Sequence, residues 1–201
     1  PSSAASDVYK RQNNFRIHLR CLLVGFNKFL DRIGGIFLNP KRTFEIITLE
    51  GYRKSETITI NVLNAVFIFT FFFRPRSIAS ILTFLIVAGL WFFFISLSHV
   101  IISSIYKMPG SLSEFIHYIT YSTVTVILLI PVKIFEGGLG FILLAIWFIW
   151  FNIVMYYAFK AYYRIDVKQY IATLFNVVAV IIILFIFAQI IMVAFGIGVI
   201  I

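Results

Sequence analysis

SIASILTFLIVAGLWFFFISLSHVIISSIY, residues Ser77–Tyr106, runs for thirty positions without a charged side chain. About 20 apolar residues carry an α-helix across the hydrocarbon core of a bilayer, where the backbone must satisfy its own hydrogen bonds. Four more apolar stretches flank this one: Thr57–Phe73, Phe115–Phe135, Leu139–Tyr163 and Tyr170–Phe195. Short polar hinges separate them. The pattern predicts an all-α, polytopic transmembrane helix bundle of five spans.

Composition points the same way. Hydrophobic residues make up 61% of the chain and charged residues 12%, against about 45–50% and about 25% in soluble domains. A soluble core has no room for that much apolar surface, so lipid is the expected solvent. With 201 residues and five spans, nothing is left over for a separate catalytic domain. The single cysteine, Cys21, excludes an internal disulfide and a cysteine-based metal site.

The net charge of +9 is distributed unevenly. Lys10, Arg11, Arg16, Arg20, Lys28, Arg32, Lys41, Arg42, Arg53 and Lys54 all precede the first expected span, with Asp7, Asp31, Glu45, Glu50 and Glu56 among them. A cytoplasmic N-terminus also places Lys107, Lys160, Arg164 and Lys168 inside, leaving only Arg74, Arg76 and Lys133 outside. The positive-inside rule therefore predicts N-terminus in and C-terminus out, in the cytoplasmic membrane of a prokaryote. The basic excess reads as a topology signal with attraction to anionic lipid headgroups, and not as a nucleic-acid surface.

Three regions follow. Residues 1–12, Pro-Ser-Ser-Ala-Ala-Ser-Asp-Val-Tyr-Lys-Arg-Gln, resemble translated sequencing-adapter read-through and are set aside from fold reasoning. Residues 13–56 form a basic, amphipathic lead-in, and residues 57–201 the five-helix membrane domain. The chain has no initiator Met and ends on Val199-Ile200-Ile201, so the natural protein is expected to continue.

Within the lead-in, Asn39 is placed to cap a helix and Pro40 to occupy its first position, where a missing amide hydrogen costs nothing. Phe37, Pro40, Phe44 and Ile47 recur at helical spacing, with Lys41, Arg42 and Glu45 elsewhere around the wheel. The Asn39–Leu49 segment is expected to lie in the cytoplasmic interface with Phe44 and Ile47 in lipid.

The hinges have their own signals. Pro75, between Arg74 and Arg76, ends the first span on the outer side. The second is long enough to require tilt, a kink near Gly89, or a cytoplasmic projection. Pro109 and Gly110 end it, and Ser111 or Ser113 is expected to cap the third, in which Pro131 predicts a kink. Gly137 and Gly138 form a tight turn into the fourth, where Trp147 and Trp150 are expected to pack between helices and the tyrosines 156, 157, 162 and 163 to line the interface.

From Phe37 onward the order of features resembles the Yip family, small multispanning proteins named for interaction with Ypt/Rab GTPases. The residues that carry it are Leu38-Asn39-Pro40 with Phe44, then His99, Gly110-Ser111 with Phe115, Tyr121-Ser122 followed by Pro131, and Trp147 with Lys160-Ala161. They cover roughly Ile36 to Phe187. The resemblance implies an all-α bundle behind a cytoplasmic N-terminal segment, with no known catalytic chemistry. The acidic-Leu-Tyr-Gly-Pro motif of the eukaryotic trafficking members is missing, so GTPase binding does not carry over.

Ionisable groups inside spans are costly and often functional. Ser96, His99 and Ser103 share one helical face and form a polar stripe. It reads either as a proton or solute pathway or as a packing contact in which a neutral imidazole hydrogen-bonds a neighbouring helix. Glu114-Phe115-Ile116-His117 has the Glu-x-x-His spacing of di-iron bundles but lacks a second pair. Glu114 is expected to favour the start of the third helix, and His117, Tyr118 and Tyr121 to sit among headgroups. No Gly-x-Ser-x-Gly, His-Glu-x-x-His or phosphate loop occurs, and no cofactor is expected. The sequence thus predicts a non-enzymatic protein of membrane organisation or partner binding, partnered by the bilayer and by another protein or a second copy. The alternative is a small proton-linked or solute transporter using the His99 stripe.

Overall fold

A computed structural model describes residues 24–73, 78–135 and 137–194. Pro1–Gln12, Cys21, the Pro75 hinge and Phe195, the last residue of the fifth stretch, lie outside them. The described residues form helices and no strands. These are α1 (residues 24–38), α2 (Pro40–Glu50), α3 (Lys54–Ile68), α4 (Ile78–Ile105), α5 (Leu112–Thr123), α6 (Leu129–Ile134), α7 (Gly138–Tyr163) and α8 (Val167–Ala194). A π-helical stretch, Phe69–Phe73, prolongs α3, and a 3-10 stretch, Val124–Leu128, joins α5 to α6.

Among the described residues, four helical segments are long and apolar enough to cross a membrane: Ile78–Ile105, Leu112–Ile134, Gly138–Tyr163 and Val167–Gln189. The first expected span is helical too, but its regular α-helical part is 15 residues and starts at Lys54, inside the expected lead-in. Burial is graded among the four. Protein covers 56% of the apolar window of Leu112–Ile134, against 6%, 17% and 11% for α4, α7 and α8. The central helix is also the least apolar of the four, with Thr120, Tyr121, Ser122 and Thr125 buried in it. A bundle solvated by lipid requires this order, because polar side chains need protein partners and apolar ones do not.

In the 3-10 stretch before Pro131, Leu129 N–H bonds to Val126 O, where an α-helix would have used the Thr125 carbonyl. Trp147 Nε1 donates to that carbonyl at 3.0 Å, so the indole packs between helices as expected. The turn into α7 is made by Gly137 at φ 74°, open to glycine at little cost. Gly140 is needed for a different reason: a Cβ there would collide with the Phe135 carbonyl oxygen. α4 runs unbroken through Gly89.

The lead-in helix differs from expectation in its surroundings. Asn39 Oδ1 accepts from Arg42 N at 3.2 Å and Pro40 opens α2, as its sequence dictates. Yet Phe44 and Ile47 are 1% and 0% exposed, packed in the protein core instead of lipid. α2 packs along α7, and Phe44 stacks on Tyr118 of α5 with ring centroids 6.4 Å apart. Leu38 and Leu49 are the most exposed large apolar residues of α1 and α2, at 87% and 86%. The hairpin closes tightly because Gly35 has no Cβ to strike Thr43 Oγ1. A second correction concerns α5: Ser111 has the extended backbone of an N-cap but its side chain makes no capping bond, and bonds Ser113 Oγ at 2.7 Å instead.

Gly140→Val tests the α6–α7 turn. Forcing a branched side chain against backbone is expected to cost about 1–3 kcal/mol, seen as a lower thermal midpoint in detergent micelles. The same change at Gly138, where a Cβ meets nothing within 4 Å, should leave the midpoint nearly unchanged.

Candidate functional site

The expected stripe on α4 resolves into separate local contacts. Ser96 Oγ donates to Phe92 O at 2.8 Å and Ser103 Oγ to Val100 O at 3.1 Å, both within the helix itself. His99 Nδ1 pairs with the Tyr163 hydroxyl of α7, and its ring lies 6.0 Å from that of Phe115. Tyr163 is 4% exposed, so it belongs to the core and not to an interfacial belt. The imidazole thus joins α4 to α7 among aromatic rings.

The polar centre lies instead between α3 and α5. Thr57 Oγ1 and His117 Nδ1 share a hydrogen bond of 2.6 Å. Asn61 Nδ2 donates to Thr120 Oγ1 at 3.0 Å, and Asn64 Nδ2 to Thr123 Oγ1 at 2.6 Å. Residue numbers rise together along both helices, so α3 and α5 run parallel with a ladder of side-chain bonds between them. His117 and Tyr121 are fully buried and Tyr118 is 8% exposed, so the expectation that they sit among headgroups fails. The rings of Tyr52 and Tyr121 meet the His117 ring edge-on, at 5.2 and 5.3 Å.

Above the ladder sits a charge cluster that the sequence reading did not assemble. Arg32 of α1, 3% exposed, lies 2.8 Å from Glu56 and 3.1 Å from Glu50. The Glu56 contact is a true hydrogen bond, whereas the Glu50 contact is close but off the hydrogen-bonding angle. Arg53 reaches the same two carboxylates at 3.3 and 3.5 Å, from a more exposed position. Tyr121 donates to the other Glu56 oxygen. Two guanidinium and two carboxylate groups are thereby neutralised together, and α1, α2, α3 and α5 are joined at one point. The one local signal for the cluster was Glu50, Arg53 and Glu56 at intervals of three; nothing near Arg32 indicated its partners.

Glu114, in the first turn of α5, accepts from the Tyr162 hydroxyl at 3.3 Å, while His117 turns to Thr57. The Glu-x-x-His pair therefore does not converge. Among the described residues no group of three His, Cys, Asp or Glu is arranged to hold a metal ion. Tyr162 also accepts from Ser111 N at 2.6 Å, and its approach depends on Gly110, where a Cβ would fall 2.8 Å from the hydroxyl. Gly110 and Ser111 thus pin the α4–α5 hinge to α7.

The candidate interface residues of α2 divide between two faces. Asn39, Pro40 and Ile47 are structural, whereas Lys41 and the inner residue Phe44 lie with Glu45, Thr48 and Leu49 on a cleft of about 460 Å³ bounded by Tyr157, Lys160 and Ala161 of α7. A second cleft, of about 420 Å³, begins on the other side of Lys160 with Arg164, Asp166 and Lys168. Comparison with protein-family models, with curated proteins and with solved structures finds no match to this chain.

Two substitutions weigh these contacts. Arg32→Met should cost about 3 kcal/mol, because Glu56 is left buried with one partner fewer, and adding Glu56→Gln should recover most of it, read as thermal midpoints in micelles. His99→Leu should cost about 0.5–2 kcal/mol by stranding the Tyr163 hydroxyl, while His99→Gln, which keeps a donor and an acceptor, should stay near the parent midpoint.

Proposed function

We propose that the chain is a non-enzymatic, multi-pass membrane protein of the Yip-like type, acting in membrane organisation or partner binding. The observation that carries this reading is that the named polar side chains of α3 and α4 are engaged by protein groups, His117 Nε2 and Ser122 Oγ being the buried side-chain atoms of α5 without a partner among the described residues. His99 is taken by Tyr163, Asn61 and Asn64 by threonines of α5, and Ser96 and Ser103 by their own helix. A transporter needs polar groups that face a solvated path, whereas His99, Asn61 and Asn64 face partners on neighbouring helices. One cleft opens between α2 and α7 and another at the α7–α8 hinge, with Lys160 lining both, and each offers a lipid or protein partner access.

The five-span topology belongs to the same proposal. The ladder holds α3 parallel to α5 at its start, and Lys133 Nζ lies 5.1 Å from the centroid of the Phe71 ring near the far ends of both. If Leu112–Ile134 crosses the bilayer, Lys54–Phe73 accompanies it across. An odd number of spans then puts the basic N-terminal region in the cytoplasm and the C-terminus outside.

Cysteine labelling of intact bacteria checks the topology: a membrane-impermeant thiol reagent should reach positions beside Arg76 and Gly138, and spare Lys54 and Arg164. Labelling at Lys54 would overturn the orientation. In-cell crosslinking with mass spectrometry should recover a recurrent protein partner or a second copy. A pH-dependent flux in reconstituted vesicles that disappears with His99→Gln would instead establish the transporter.

A further inference from the structure

We propose that the α2–α7 cleft binds one anionic glycerophospholipid, with its phosphodiester between the Lys41 and Lys160 ammonium groups and an acyl chain along Phe44, Leu49 and Ala161. The inference rests on the membrane reading above and names the partner of that rim. The cleft, about 460 Å³, falls within the common range of small-molecule sites, roughly 300–1,000 Å³. Its wall is mostly apolar, with charge confined to Lys41, Lys160 and Glu45.

That charge set selects the headgroup. Lys41 has no ion pair or hydrogen bond among the described residues, and Lys160 rests over the Tyr156 ring, 5.7 Å from its centroid. Two ammonium groups and one carboxylate leave one positive charge. A headgroup with a single net negative charge neutralises it, whereas a zwitterionic headgroup leaves it uncompensated. Arg164 and Lys168, on the adjoining cleft, raise the local positive potential further, offset in part by Asp166. Thr48 is already engaged, donating to Phe44 O at 2.8 Å and accepting from Tyr118 at 3.3 Å, so it fixes the cleft wall. Leu49, 86% exposed beside these charges, continues the apolar wall outward to where an acyl chain would leave the cleft.

Native mass spectrometry of the full chain in micelles, with added phosphatidylglycerol, phosphatidylethanolamine or phosphatidylcholine, tests the site. One phosphatidylglycerol should be retained in preference to either zwitterionic lipid. Lys41→Gln and Lys160→Gln should each weaken retention about fivefold, at unchanged helicity and thermal midpoint. Lys107→Gln removes the same charge elsewhere and should have no effect; an equal loss there would reduce the site to general surface charge and overturn it. Glu45→Gln should strengthen retention, and preference for phosphatidylethanolamine that Glu45→Gln abolishes would refute the anionic assignment. A chain that remains membrane-inserted but shows no lipid preference sinks this inference alone. A chain that stays soluble without detergent sinks the membrane reading as well.

Discussion

The ladder between α3 and α5 is the contact on which the rest of the bundle depends. Lipid tails are as apolar as leucine, so packing apolar side chains together gives two helices in a bilayer little reason to choose one register over another. Asn61 and Asn64 change that, because each needs a partner and finds one only when Thr120 and Thr123 are level with it. Sliding α5 by one residue would leave two amides in hydrocarbon. The pairs at Thr57–His117, Asn61–Thr120 and Asn64–Thr123 thus fix direction and height at once. With α5 so placed, Phe115 packs against Phe159 and Tyr163, and α7 follows.

The charge cluster extends this register to α1 and α2. A buried guanidinium is poor evidence of stability, since desolvation offsets most of its attraction to the carboxylates. What Arg32 contributes is position. Its two acidic partners stand at the end of α2 and in the first turn of α3, so they come together only when the hairpin has folded back onto the ladder. Tyr121 then ties Glu56 to α5. Arg53, more exposed, completes the neutralisation toward the surface, which keeps the acids from being stranded beside a single cation.

What the sequence revealed and what it hid divide along contact range. The spans were legible because lipid solvation acts on each residue separately, and a run such as Ser77–Tyr106 carries its own signal. The Asn39-Pro40 helix start was legible for a similar reason, since a cap is made within four residues. Phe44 and Ile47 show where this stops: helical spacing marks an apolar face, but lipid and protein are equally good covers for it, and the face packs against protein. His117 and Tyr121 misled in the opposite direction. Polar aromatics near a span end usually meet headgroups, yet Thr57 and Glu56, some 60 positions earlier, drew these two inward.

His99 illustrates how a bundle in lipid engages an ionisable group that is only partly buried. A histidine in an apolar helix is costly only while its ring nitrogens lack partners, and the Tyr163 hydroxyl supplies one at the point where α4 meets α7. Phe115 lies against both rings, at 6.0 Å from His99 and 5.1 Å from Tyr163. Phe115 is held there by the first turn of α5, whose hinge is pinned by Tyr162 against Gly110 and Ser111. The contact that joins α4 to α7 at His99 is therefore a consequence of the same register that the α3–α5 ladder sets, because Phe115 reaches both rings only from a correctly placed α5.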